Sequence, residues 1–400
     1  MSRAIGLLTT IVVNNPIAGV SVNKKYGNGK IKLTRYTDVA EPELPNSKWL
    51  KVQNIACGLC GSDIHFMYME LDPKTFPAAI PGISRKYLGH ELVGEVTELG
   101  KDVRNLKTGD RVCLRIDWPS CYQMELDPMC PQCKKGEYML CQNLGMKDLP
   151  LVDTGGGFSP YMVMHRTQSF KVPTALSNDE AVLIEPLACA VHGVRKQSPE
   201  KGDRVLVIGC GTIGLLTIAA ARAMQKDIEI IALARYPFQA EMARKMGADN
   251  VISGRGNTYE EIAGITGAKY FEGYFGNRIL LGGFDIIYDS VGNDRSINDA
   301  LRWTRSNGAV VILGINFKPG KIDYTPIWNQ ELRVTGINCH AMEGKKTSFD
   351  IAAEILAKKS VPFSSLVTHR FPMNNYRDAI KTFFSKGKEG AIKIVLEHEH

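Results

Sequence analysis

The chain has 400 residues, 44% of them hydrophobic and 23% charged, the balance of a globular protein long enough for two or three domains. Its net charge of +7 comes without basic blocks or a nucleic-acid motif, so no nucleic-acid partner is expected. No apolar run reaches the roughly 18 residues of a membrane span, so no membrane partner is expected either.

In chain order, Arg3 precedes the apolar run AIGLLTTIVV, which has the outline of a short signal peptide. It is read instead as a first β-strand, because Asn14-Asn15-Pro16 ends it without a small-residue cleavage site. Up to about residue 170, short β-rich runs such as WLKVQNIAC, HELVGEVTEL and DRVCLRI dominate. Gly, Pro, Asn and Asp punctuate them, which predicts an irregular β-rich region.

From about residue 180 the pattern changes. Strand-like RVLVIG, IEIIAL, NVIS, FDIIYDSV and GAVVILG alternate with helical GLLTIAAARAM, QAEMARKMGA and INDALRWTR. Such alternation predicts a doubly wound parallel sheet. Two further helices, SFDIAAEILAKK and YRDAIKTFFSK, precede a last strand, AIKIVLE. The middle block therefore reads as one domain inserted between two parts of another, with boundaries at 1–190, 191–340 and 341–400.

Gly209-Cys210-Gly211-Thr212-Ile213-Gly214 is a G-x-G-x-x-G that follows a strand and opens a helix, the context that makes the motif a dinucleotide signal. The first glycine permits a tight turn, the second lets backbone approach a pyrophosphate, and the third lets helix and strand pack closely. The helix start, at Thr212 and Ile213, presents N–H groups to the phosphates. The second strand ends at Ala234-Arg235-Tyr236 with no carboxylate for a ribose 2′-hydroxyl. Arg235 can pair with a 2′-phosphate, so NADP is expected in preference to NAD.

Seven of the ten cysteines lie in the first 141 residues, two pairs of them in C-x-x-C spacing. In a chain this long that points to metal or redox chemistry in a reducing compartment, hence the cytoplasm. Cys57-Gly58-Leu59-Cys60-Gly61-Ser62-Asp63-Ile64-His65, Gly89-His90-Glu91 and Ile184-Glu185-Pro186-Leu187 follow one another along the chain. With Thr108-Gly109-Asp110-Arg111-Val112, Gly157-Phe158 and the glycine motif, this order resembles the zinc-containing medium-chain dehydrogenases, the family of alcohol, sorbitol and threonine dehydrogenases and archaeal glucose dehydrogenases.

The resemblance implies an α/β protein: an irregular β-rich, GroES-like catalytic domain plus a Rossmann domain with a doubly wound parallel sheet. It implies a catalytic zinc held by Cys60, His90 and Glu185, with Glu91 able to exchange into its shell and Asp63 behind the ligands. A thiolate, an imidazole and a carboxylate suit zinc, and three protein ligands leave a position for substrate. Ser62 is implied to accept the substrate hydroxyl proton and pass it, via the cofactor ribose, toward His65. Cys57, Cys113, Cys189, His192 and Cys210 are read as structural.

Cys130-x-x-Cys133-x7-Cys141 resembles the family's second, structural zinc lobe, whose four cysteines run C-x-x-C-x-x-C-x7-C. Here the first of the four positions is Asp127. Asp127 can supply a carboxylate oxygen; alternatively Cys121 reaches in across the longer loop WPSCYQMELDPM. A closed tetrahedral site would hold together a lobe with little apolar core.

The expected substrate is a small-molecule secondary alcohol or ketone, a polyol, sugar or related cyclic alcohol. The expected assembly is a homodimer or homotetramer through the Rossmann domain, with Val310 to Phe317 as its edge strand. Residues 270–278, aromatic and inserted before FDIIYDSVG, are read as a surface patch. Two competing functions are weighed. A zinc-free enone reductase lacks the set Cys60, His90 and Glu185, and an NADPH-binding sensor has no need of Ser62 and His65.

Overall fold

The computed structural model describes residues 7–13, 34–68, 70–79, 87–116, 119–144 and 154–399. They fall into two compact units. The first runs to Glu185 and includes Phe317–Pro319 and the chain from Val367 onward. The second comprises Pro186–Asn316 and Gly320–Leu366.

The first unit is built on a seven-stranded sheet. In spatial order its strands are Val367–Pro372, Lys393–Glu397, Trp49–Gly58, Glu91–Leu99, Arg111–Leu114 and Ser169–Lys171, with Tyr161–His165 pairing beside Trp49–Gly58. Leu50, Val52, Leu92, Val96, Leu114, Phe158, Ile394 and Leu396 are fully buried in its core. Each such side chain contributes about 1.5–3 kcal/mol by leaving water. Alternation along WLKVQNIAC supplies this face. The run read as a first strand forms one over Leu7–Val13, antiparallel to Thr34–Ala40; Asn14-Asn15-Pro16 lies outside the described residues.

The second unit carries six parallel strands in the order Asn250–Ile252, Glu229–Leu233, Arg204–Ile208, Phe284–Asp289, Thr304–Ile312 and Arg333–Gly336. Helices Thr212–Met224, Pro237–Lys245, Thr258–Thr266 and Asp294–Trp303 link the strands. This is the doubly wound sheet expected from the alternating pattern, with its central strands buried because both faces are covered.

Three details differ from the sequence reading. The expected edge at Val310 to Phe317 is not an edge: Thr304–Ile312 lies between two strands, and Arg333–Gly336 takes the edge. That four-residue strand is largely exposed and lacks an apolar pattern. The helix Ser348–Ala357 belongs to the second unit, where it packs on Thr212–Met224, so the chain returns to the first unit at Val367 rather than near 341. The inserted aromatic segment is a hairpin, Lys269–Glu272 against Arg278–Leu281, with Tyr274 and Phe275 exposed at its tip. Among the described residues no helix is long and apolar enough to cross a membrane.

Candidate active site and metal centres

The first site forms where neighbouring strands of the seven-stranded sheet end together. Trp49–Gly58 delivers the chain to Cys60, which caps the helix Gly61–Met67 in extended conformation. The Asp63 carboxylate accepts from Cys60 N at 3.0 Å, closing the helix start. Its other oxygen accepts from Gly89 N at 3.1 Å and lies 3.5 Å from His90 Nδ1. One buried aspartate therefore ties the cysteine turn to the histidine turn.

Cys60, His90 and Glu91 each bring a ligand atom to this place, and the three atoms lie within 4.8 Å of one another. Glu91 opens the strand Glu91–Leu99 directly opposite Gly58. A Cβ on Gly58 would sit 2.2 Å from Glu91 Oε2, so the glycine makes room for the carboxylate. Lys393, the first residue of the last strand, donates to that same oxygen, and the side chains of both partners are almost fully buried.

Charge follows from this packing. Burial works against a charged His90, but Asp63 outweighs it and holds the imidazole well above its usual range. Burial likewise opposes ionisation of Asp63, yet His90 and the two backbone N–H groups hold its carboxyl low. Burial disfavours the Lys393 ammonium, and Glu91 followed by Cys60 more than restores it. Burial, then Asp63, pushes the Cys57 thiol well up, in keeping with a packed, inert cysteine.

Of the two carboxylates expected near the metal, Glu91 stands in the group with Cys60 and His90. Glu91 is placed by its strand and held by Lys393, whereas Glu185 occupies the opening turn of the helix Ile184–Lys196. Glu185 is buried and acts on the charge of Lys393.

The donor set fits zinc. It joins a thiolate, an imidazole and a carboxylate, with the imidazole's far nitrogen facing a carboxylate, the arrangement that orients metal-bound histidines. His90 Nδ1 is buried with no hydrogen bond of ordinary length, and the Asp63 carboxylate 3.5 Å away is the group that would orient the ring if it held a metal.

Ser62 and His65 share one face of the same short helix at i, i+3 spacing. His65 Nδ1 lies 2.6 Å from Glu70 Oε2, a partner the sequence reading did not single out.

A second cluster lies in the loops after Arg111–Leu114. Cys121, Cys130, Cys133 and Cys141 bring their sulfurs within 4.8 Å of one another. Cys121 and Cys141 are 3.7 Å apart. Of the two candidates for the fourth position, Cys121 is the one that meets the other three sulfurs. Ser120 caps the turn Cys121–Met124, in which Cys121 is buried, while Asp127 stays exposed on the loop between. Backbone N–H groups aim at the sulfurs: Cys130 N at Cys121 Sγ (3.4 Å), and Cys133 N and Gln142 N at Cys130 Sγ (3.4 and 3.5 Å). Burial opposes the Cys130 thiolate, but the Cys133 and Gln142 amides, followed by the Cys133 and Cys121 thiols, bring its pKa down to about 6. Four sulfurs, those of Cys121 and Cys130 met by amide donors, form a donor set that fits a structural zinc.

In the second unit, the glycine motif joins the strand Arg204–Ile208 to the helix Thr212–Met224. Gly209 takes φ +87°, and a Cβ on Gly214 would stand 1.8 Å from Gly209 O. A Cβ on Gly211 would meet nothing within 4 Å, so the protein leaves that side open. This is the cradle a pyrophosphate needs at a helix N-terminus. Arg235 follows the second strand, exposed, its guanidinium 5.4 Å from the Tyr236 ring centroid. Tyr236 stacks on Phe238 with ring centroids 5.6 Å apart.

Comparisons with known proteins place the chain in a family. Residues 46–174 match the alcohol dehydrogenase GroES-like domain and residues 212–358 the zinc-binding dehydrogenase model. A sorbitol dehydrogenase of Bacillus subtilis is 30% identical over 334 residues, 82% of this chain and 85% of its own. The 2R,3R-butanediol dehydrogenase of Bacillus subtilis superposes with a TM-score of 0.73 at 25% identity, covering 98% of this chain and 99% of its own. A Sinorhizobium meliloti 1021 protein described as a zinc-binding dehydrogenase, solved bound to NADP, gives 0.73 at 26% identity over 98% of this chain and 99% of its own.

Proposed function

The chain belongs to the zinc-containing medium-chain dehydrogenase family, and from that premise we propose how its own residues carry out the reaction. It is a zinc-type alcohol or polyol dehydrogenase that moves a hydride between NAD(P) and a secondary alcohol or ketone. The observation that carries the residue assignment is the meeting of Cys60, His90 and Glu91 at the head of the helix that bears Ser62 and His65.

In this reading Cys60 and His90 hold the catalytic zinc, with a carboxylate from Glu91 and with Glu185 close by. Zinc supplies Lewis acidity that lowers the pKa of a bound alcohol, as it lowers that of water to roughly 7; the nicotinamide supplies the hydride acceptor. Asp63 orients the His90 ring. Lys393 keeps one oxygen of Glu91 engaged and offsets part of the negative charge. Ser62 takes the hydroxyl proton and His65 receives it at the far end of the relay. Cys121, Cys130, Cys133 and Cys141 hold a structural zinc whose closed shell leaves no place for substrate.

The cofactor proposed is NADP in preference to NAD. Arg235 and the missing acid at the strand end support it, and NADP is the ligand in the Sinorhizobium meliloti structure. The substrate proposed is a polyol, sugar or related cyclic alcohol, in line with the sorbitol and butanediol dehydrogenases among the relatives. A cytoplasmic location and a homodimeric or homotetrameric assembly complete the proposal. Free cysteines support the first and the open edge at Arg333–Gly336 supports the second.

Cys60→Ser tests the reading. It is expected to abolish NADP-linked alcohol oxidation and to remove about one zinc per chain from a starting value near two. Near-normal turnover with unchanged metal content would overturn it.

A further inference from the structure

A proton relay that ends on His65 requires one particular ring nitrogen to be open, and the local structure selects which. His65 Nδ1 lies 2.6 Å from Glu70 Oε2. The contact is built into the backbone, since Glu70 N donates to His65 O at 2.9 Å and folds the chain back over the last helical turn. Phe317 braces the ring from another side, edge-on with centroids 5.2 Å apart. Asp72 N donates to Phe317 O at 2.9 Å, so the returning segment also holds the brace. The two side chains are 31% and 19% exposed, shielded enough for the bond to persist.

We propose that Glu70 is a positioning residue for His65, fixing the imidazole as the Nδ1–H tautomer so that Nε2 presents its lone pair to the incoming proton. The proposal rests on the relay reading above. A carboxylate only accepts hydrogen bonds, so a neutral ring bonded to it carries its hydrogen on Nδ1. When Nε2 takes the proton released by the alcohol, the alcohol O–H bond breaks and its electron pair stays on that oxygen, Ser62 passes on as many protons as it receives, and one N–H bond forms from the Nε2 lone pair. The Nδ1–H···Oε2 contact then becomes a bond between charged groups, which is shorter and stronger than a neutral one. A carboxylate behind a histidine does the same work in hydrolase triads, setting tautomer and orientation without itself taking the proton.

The test combines imidazole ¹⁵N NMR of the whole chain with kinetics of the zinc-loaded enzyme. In the wild type His65 should carry its proton on Nδ1. Glu70→Gln, whose amide can also donate, should lose that preference. Its kcat should fall about ten- to a hundredfold, with alcohol KM changed less than about twofold, since a positioned acid–base group contributes roughly 10²–10⁴. Glu70→Asp should recover part of kcat. In a His65→Gln background, Glu70→Gln should add no further loss, because the two residues act as one unit. A His65 tautomer unmoved by Glu70→Gln, or an equal kcat loss in the His65→Gln background, overturns the proposal. Wild-type turnover in His65→Gln overturns the relay reading instead, and the NMR signature keeps the two failures apart.

Discussion

Lys393→Met is the sharpest probe of how the catalytic group is held together. The Lys393 and Glu91 side chains are 3% and 2% exposed, and they bond across the intervening strand Trp49–Gly58 of the first unit. Methionine fills similar volume but leaves the Glu91 carboxylate buried beside Cys60 without its cation. Breaking a buried pair by removing one partner costs about 3–5 kcal/mol, mostly the penalty of the charge left behind. At about 1.36 kcal/mol per tenfold, amide hydrogen exchange in Lys393–Glu397 and Glu91–Leu99 of the metal-free protein should quicken by roughly two to nearly four decades. The double variant Lys393→Met/Glu91→Gln removes both charges and should recover most of that loss. Added zinc should restore part of the protection in the single variant, because the ion's charge replaces the ammonium. A single variant that quickens exchange less than about tenfold, or a double variant as exposed as the single, would refute the idea that Glu91 depends on Lys393.

Four further outcomes are expected. Cys121→Ser should cost about one zinc per chain while Asp127→Ala leaves metal content at wild-type level, both read by elemental analysis. Gly211→Ala should fold normally, within about 0.5 kcal/mol, yet weaken dinucleotide binding in a fluorescence titration; Gly214→Ala, with its Cβ driven onto Gly209 O, should lower thermal stability as well. Arg235→Ala should weaken NADP by about 1.5–3 kcal/mol, the worth of a charged hydrogen bond, and leave NAD affinity unchanged. The Lys171 bond to Asp110, 2.7 Å long, holds that carboxyl below its ordinary value of 3.8. Its stabilisation is therefore fully present above that ordinary value and is lost as pH falls through the lowered one. Asp110→Asn should flatten that part of an acid unfolding curve and leave the rest unchanged.

Much of the molecule is legible in local pattern. Strands and helices from Arg204 to Trp303 announce themselves because a parallel sheet covered on both faces needs continuous apolar runs, and its helices need an apolar stripe. The glycine motif is legible for a similar reason: its demands on backbone space are local. Cys60 and His90 could be named because each sits in a short, dense run of chemical residues. The strand Arg333–Gly336 escaped because it is short and exposed, so no apolar pattern marks it. Lys393 left one faint sign, a lysine inside the otherwise apolar run AIKIVLE.

The sequence alone determined the doubly wound nucleotide unit, the β-rich unit, and the residue types able to hold zinc. Those features depend on periodicity and on short spacings along one strand of chain. Only the tertiary structure decided which carboxylate stands beside Cys60 and His90, which residue is the fourth member of the cysteine lobe, and which side chains hold Glu91 and His65. Glu91 against Glu185, Cys121 against Asp127, Lys393 302 residues from Glu91: each choice turns on where a backbone segment returns in space and which side chains it buries. Burial sets the cost of an unpaired charge, and it depends on the whole fold rather than on any one segment.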